Sequence, residues 1–182
     1  MMSLPEPLDR ISAKLRQEGG EKAIAAVAVV FLEEDDGLKL LLVKRAVVLG
    51  DPWSGDMAFP GGKRHPGDET IHDTVVREVS EETSIDLTAG RFLGMMEEVL
   101  SNARPGMRVL PMIFLLDEVP EIRINEELSK YVWTKFSDLP SSRGRTIVKN
   151  RFDTPVFHVG DDVVWGLTYR MVENLLALVE ES

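Results

Sequence analysis

Apolar positions along the chain fall into a few distinct patterns. Leu8, Ile11 and Leu15 recur at i, i+3 and i+7, which predicts an amphipathic helix within residues 1–20, ended near Gly19-Gly20. Ala23 to Leu32 is a ten-residue apolar run. It reads as a buried strand, because a helix spanning a bilayer needs about 20 such residues. After the acidic turn at Glu33–Gly37, Lys39–Arg45 (KLLLVKR) predicts a second strand, and the two read as a hairpin-like pair. Gly50, Pro52, Gly55, Pro60, Gly61, Gly62, Pro66 and Gly67 punctuate residues 46–67, a density of breakers that predicts an ordered loop. From Asp68 to about Thr83 the pattern turns helical, with Ile71, Val75 and Val79 on one face and Asp68 or Glu69 placed to complement the helix dipole. Arg91–Leu100, Arg108–Leu116 and Tyr131–Phe136 predict further strands, and residues 165–180 a final helix with Met171, Leu175 and Leu178 on one side. Strands with an interrupting helix, and no repeat or linker, predict an α+β fold with one core over residues 1–182.

Composition narrows the function classes. The 182 residues carry 21 Lys+Arg against 31 Asp+Glu, a formal net charge of −10. A surface of that sign repels polyanions, so neither nucleic acid nor an anionic membrane is an expected partner. With no cysteine there is no disulfide framework, thiolate zinc site or cysteine nucleophile. The opening MMSLPEPLDR lacks the basic stretch and apolar run of a signal peptide, so the expected location is cytoplasmic.

Candidate chemistry concentrates in one stretch, Gly61 to Ile85. Glu78, Glu81 and Glu82 lie at i, i+3 and i+4, so a helix presents all three carboxylates on one face. Such a set is also what an ordinary solvated helix face carries. As a functional set it offers hard oxygen donors of the kind that Mg²⁺ or Mn²⁺ prefers, and a divalent ion converts their repulsion into attraction. Arg77 beside them and Glu69 eight residues upstream are spaced for a salt bridge that braces the helix against the loop. The Gly61-Gly62 pair lets backbone carbonyls come close to a metal, since no Cβ obstructs them. His65, His72 and His158 have no ligand spacing to one another.

In combination and order, these residues resemble the box of the Nudix hydrolase family, Gly-x5-Glu-x7-Arg-Glu-U-x-Glu-Glu-x-Gly-U with U apolar. Gly62, Glu69, Arg77, Glu78, Val79, Glu81, Glu82 and Ile85 match its elements. One extra residue stands between Gly62 and Glu69, and Ser84 replaces the last glycine. The preceding LLVKRAVVLGDPWSGDMAFPGG is similar to the segment before the box in the coenzyme A diphosphatase-like subgroup. It agrees at Leu41, Leu42, Arg45, Leu49, Gly55, Phe59, Pro60, Gly61 and Gly62, and departs at Val43, Ala46, Gly50 and Met57. The subgroup's histidine is also missing, with Trp53 in its place. WGLTYRMVENLL near the end is similar to that subgroup's last helix.

The resemblance implies an α/β/α sandwich, a mixed β-sheet between helices, with residues 61–85 forming a loop-helix-loop. It implies Mg²⁺-dependent hydrolysis (Mn²⁺ as an alternative ion) of a diphosphate bond in a nucleoside diphosphate linked to another group. Coenzyme A-like compounds come first. ADP-ribose, dinucleotide polyphosphates and oxidised nucleotides are the alternatives within the family, and a nucleotide-sensing domain without catalysis is the alternative of another class. Glu78 and Glu82 are the implied metal ligands, with Glu81 and the Gly61 carbonyl; Glu69 and Arg77 are implied supports. Glu81 is the first candidate for general base, with Glu97, Glu98 and Glu127 as others. Lys44, Arg45, Lys63, Arg64, Arg104 and Arg108 are candidates for phosphate contact, Arg45 and Arg64 foremost, and Phe59 is a candidate substrate contact. Trp53, Met57 and the methionines at 95, 96, 107 and 112 read either as pocket lining or as core. A small-molecule partner is expected. A homodimer is left open, since the family often forms one.

Overall fold

The computed structural model describes residues 3–180. Its elements are α1 (Glu6–Ser12), β1 (Ala25–Glu34), β2 (Gly37–Arg45), β3 (Met57–Ala58), β4 (Gly61–Lys63), α2 (Ile71–Thr83), β5 (Arg91–Met95), β6 (Val99–Leu100), β7 (Arg108–Leu116), β8 (Leu128–Lys135), β9 (Arg143–Val148), β10 (Phe152–Val159), β11 (Asp162–Val164) and α3 (Gly166–Glu180). A mixed sheet runs in the order β3-β2-β1-β7-β5, with β4 on β1, β6 on β7 and β8 on β2. β1 and β7 are parallel over eight residue pairs, from Ala25↔Val109 to Leu32↔Leu116. All its other pairings are antiparallel.

β1 explains why the chain reads as nearly continuous apolar sequence there: it is covered on both faces. Ala25, Val29 and Phe31 point into a core shared with Leu8 and Ile11 of α1 and Met171, Val172, Leu175 and Leu176 of α3. Ala26, Ala28, Val30 and Leu32 point to the other side, against Ile71, Val75 and Val79 of α2. Helices therefore lie on both faces of the sheet, which is the α/β/α sandwich that the resemblance implied. Among the described residues no helix is long and apolar enough to cross a membrane.

Several boundaries differ from the sequence reading. The first helix stops at Ser12, and Leu15 lies past its end. Residues 46–67, expected to be loop throughout, contribute β3 and β4. The predicted strand Arg91–Leu100 divides into β5 and β6, after a register shift between Phe92 and Gly94. A three-stranded antiparallel sheet, β9-β10-β11, occupies residues that predicted no strand. Its strands carry Arg143, Arg145 and Thr146 or Asp153, Thr154 and Pro155, so no apolar alternation marks them.

Candidate active site

α2 is held at both ends by its own sequence. Thr70 caps its N-terminus, accepting the Asp73 amide at 3.1 Å while the Asp73 carboxylate accepts the Thr70 amide at 2.8 Å. Ser84 ends it in the left-handed conformation, φ 64°, where the family box has glycine. The loop before the helix is tied by Asp68, not by Glu69 as the spacing suggested. Arg77 donates from Nε to Asp68 Oδ1 and from Nη2 to Oδ2, both at 2.9 Å. Asp68 also accepts the His65 amide at 2.8 Å and the Thr74 hydroxyl at 2.9 Å. The Arg77 guanidinium, opposed by burial and helped by those two donors, holds the Asp68 carboxyl well below the usual range. Glu69 is exposed, and its carbonyl accepts from Arg64. Asp68 stands six residues after Gly62, where the box pattern has its first glutamate, so the extra residue falls after that position.

This brace aims the carboxylates. The remaining Arg77 nitrogen, Nη1, reaches Glu78 Oε1 at 2.9 Å and Glu81 Oε2 at 3.3 Å. Glu82, the most deeply buried of the three at 2% exposure, accepts the Gly61 amide at 3.0 Å. Burial pushes its carboxyl up to about 7, against the Gly61 amide, and the charges of Glu127 and Glu78 add to the rise. Glu78 is also raised, by burial first, with Arg77 opposing. The glycine pair has a packing reason besides ligand access. A Cβ on Gly61 would overlap the Ala26 carbonyl oxygen, and one on Gly62 would lie 2.5 Å from the Glu78 carboxylate.

The carboxylates form one end of a cleft of about 1170 Å³. Glu78, Glu81, Glu82 and Gly61 line it, together with Arg45, Phe59 and Glu127. Glu127 arrives because the chain after β7 lies along the end of α2: the Arg123 amide donates to the Thr83 carbonyl at 2.9 Å and the Asn125 amide to the Glu82 carbonyl at 3.0 Å. Glu97 and Glu98 lie outside the cleft, paired with Arg16 at 3.3 Å and Arg108 at 3.5 Å. Arg45 is held by Asp51 at 2.9 Å. Lys63 and Arg104 line the cleft too, and the Arg104 guanidinium lies 4.7 Å over the Trp53 ring. Arg64 does not line it; its guanidinium binds the carbonyls of Glu21 and Glu69 at 3.4 and 2.7 Å. Lys44 is bound to Asp162 at 2.7 Å. Met57 and Met107 line the cleft, whereas Met95, Met96 and Met112 belong to the core. Phe152 and Trp165, which also line it, were missed by the sequence reading, where each is an isolated aromatic without periodicity.

All the oxygen donors here are hard; Glu82 is buried with the charges of Glu127 and Glu78 beside it, and Glu78 is half-buried and paired with Arg77. That donor chemistry fits Mg²⁺ or Mn²⁺. Among the described residues, with Arg77 bridging Glu78 and Glu81, no three acidic or histidine side chains are gathered closely enough to enclose an ion.

The family comparison spans the glutamate helix and the loop before it. The model of the NUDIX domain matches residues 22–152. An ADP-ribose pyrophosphatase of Methanocaldococcus jannaschii is 32% identical over 116 residues, 63% of this chain and 64% of that protein. The mitochondrial coenzyme A diphosphatase of Mus musculus is 28% identical over 180 residues, 94% of this chain and 84% of that one. An uncharacterized Schizosaccharomyces pombe protein is 30% identical over 138 residues, 66% of this chain, and there the chain spans only 42% of the relative's length. The crystal structure of a MutT protein from Methanosarcina mazei shares the fold with a TM-score of 0.58 at 19% identity, covering 90% of this chain and 98% of that one. With the domain model spanning most of its length and the glutamate helix seated against the glycine pair, this chain belongs to the Nudix hydrolase family.

Proposed function

We propose that the protein hydrolyses the diphosphate bond of a nucleoside diphosphate linked to a second group. The observation that carries this is the seating of buried Glu82 and half-buried Glu78 against Gly61-Gly62 in an open cleft, with Arg77 paired to Glu78 and no cation paired to Glu82 among the described residues. Glu78 and Glu82 would hold a Mg²⁺ or Mn²⁺ ion, with Glu81 and the Gly61 carbonyl beside them. A divalent ion held there would supply the positive charge that screens the diphosphate oxygens and the acidity that activates water. Arg77 orients Glu78 and Glu81 and is itself fixed by Asp68, so the carboxylates are preorganised. Glu81 takes the proton from water, and Glu127, which lines the same cleft, is the second candidate for that role. Arg45 contacts a phosphate oxygen, and Phe59 supports the cleft wall from the core.

Coenzyme A-like compounds are the first substrate class. The mouse relative named for that activity aligns over nearly the whole chain. In addition Val48 and Leu49 are exposed at the cleft edge, an apolar lip that suits a long, partly apolar second arm better than a sugar. ADP-ribose is the alternative that the archaeal relative favours. The test is a mass-spectrometric panel with Mg²⁺: coenzyme A, acetyl-coenzyme A, ADP-ribose, NADH, diadenosine polyphosphates and nucleoside triphosphates, with Glu82→Gln as control. Adenosine 3′,5′-bisphosphate and 4′-phosphopantetheine from the wild type alone establish the first class. Cleavage of another compound keeps the chemistry and moves the substrate, whereas binding without cleavage of any compound makes the protein a sensing domain.

A further inference from the structure

The cleft that the carboxylates line is also lined by residues around and beyond the end of the family match at residue 152, among them Arg151, Phe152 and Trp165. Phe152 begins β10 there, 41% exposed, with its ring stacked on Trp165 at 5.8 Å between centroids and 24° between planes. The guanidinium of Arg151 lies 4.9 Å over the same Phe152 ring and has no carboxylate partner among the described residues. Core packing does not account for an aromatic ring left this open at a cleft wall.

The backing is rigid. Trp165 Nε1 donates to Asp56 Oδ1 at 3.1 Å, and Lys149 Nζ lies 5.3 Å over the Trp165 ring. Lys149 also bonds Asp56 at 3.1 Å and the Pro52 carbonyl at 2.7 Å. These contacts hold a turn in which Lys149 and Asn150 both adopt left-handed φ, 51° and 53°. Asparagine accepts that conformation readily in turns, whereas a lysine rarely does unless its surroundings hold it there. The result is to send Lys149 back to Asp56 and to set Phe152 on the cleft wall. Trp53, with Arg104 over its ring, lines the same cleft, so cationic and aromatic surfaces alternate at this end.

We propose that Phe152, backed by Trp165, is the platform on which a purine base of the substrate stacks. Arg151 closes over the outer face of the base as it now closes over the ring. The inference rests on reading the carboxylate end as the diphosphate site, with the nucleoside directed away from Glu78 and Glu82 towards β10. A purine is assigned because its larger face gains more from stacking than a pyrimidine does.

The test is equilibrium binding in Mg²⁺ of AMP and ribose 5-phosphate, neither of which has an anhydride to cleave. Wild type is expected to bind AMP at least about tenfold more tightly, in line with stacking on one aromatic ring. Phe152→Leu keeps an apolar contact with Trp165 and loses the flat ring, so AMP affinity should fall at least about fivefold. Ribose 5-phosphate affinity should stay within about twofold, and Phe152→Tyr should restore AMP binding. Equal affinity of wild type for the two ligands, including no measurable binding of either, overturns the proposal. So does a parallel loss of both in Phe152→Leu, which would make Phe152 a support of the cleft. UMP binding as tightly as AMP overturns the purine assignment. Silence of the hydrolysis panel with base-dependent binding intact would sink the hydrolase reading and leave the platform standing. Hydrolysis without base preference would do the reverse.

Discussion

The two ends of the cleft are constructed in different ways. At the carboxylate end, every charged partner within α2 and its loop lies within 14 residues, from Asp68 to Glu82, and the short-range contacts Asp68–Arg77, Arg77–Glu78 and Arg77–Glu81 fix the geometry. At the aromatic end, Asp56, Lys149 and Trp165 are up to 109 residues apart and meet only because a small second sheet folds back on the β3 loop. The first end is a cassette whose residues carry their own spacing; the second exists only once the sheets have docked. On the function proposed above, the chemistry that needs fixed charge would sit on the cassette, and the recognition surface would be assembled from distant segments. That division allows the recognition end to vary without disturbing the reacting end.

The largest expected effect is on the cassette itself. Glu82→Gln should lower kcat by at least about 10²-fold while the melting temperature in metal-free buffer does not fall, because the change removes a buried charge with too little compensation. Steady-state kinetics with parallel thermal denaturation measures both, and near-wild-type turnover would sink the metal assignment.

A second pair of variants probes how local the cassette is. Asp68→Asn should cost about 1.5–3 kcal/mol, since it breaks charge-assisted bonds made by a nearly buried carboxylate. Glu69→Gln should cost less than about 0.5 kcal/mol, as at other exposed sites. Denaturant titration compares the two, and a larger loss at Glu69 would return the brace to the residue that spacing suggested.

The docking of the second sheet has its own electrostatic tie. Asp162 of β11 is 9% exposed and takes Lys44 of β2 at 2.7 Å, together with Lys130 of β8. Burial alone would raise its pKa, but Lys130 and Lys44 outweigh it and hold the carboxyl below its ordinary value. A depressed folded value means that the stabilisation is full above the unfolded pKa of about 4 and is lost as pH falls through the folded value. Asp162→Asn should therefore cost about 1 kcal/mol at neutral pH, discounted for the half-open lysines, and progressively less in acid. Thermal melts across pH decide it; a deficit undiminished below about pH 3 would assign the loss to packing.

The smallest effect is expected at Ser84. Glycine relieves its left-handed backbone and forfeits a 3.2 Å bond from the Ser84 hydroxyl to the Arg123 carbonyl. Ser84→Gly should shift stability by less than about 1 kcal/mol, or a few degrees in melting temperature. A larger loss would show that the hydroxyl's hold on the 121–127 segment, which delivers Glu127, outweighs the backbone term.

What the sequence determined was whatever repeats at short range. The β1–β2 hairpin, the face of α2 that carries Glu78, Glu81 and Glu82, and the final helix all follow from apolar spacing, turn residues and charges a few positions apart. Those signals arise from backbone geometry, which is the same wherever the segment finally lies. Tertiary structure alone decided that Asp68 and not Glu69 takes Arg77, that Arg64 turns to backbone carbonyls, and that Glu127 rather than Glu97 or Glu98 joins the cleft. It alone made strands of β9 to β11, whose sequences carry no clean apolar alternation, and brought Phe152 to Trp165. Each of these depends on a contact between segments whose local sequence is compatible with several partners, and only docking of the sheets and helices selects among them.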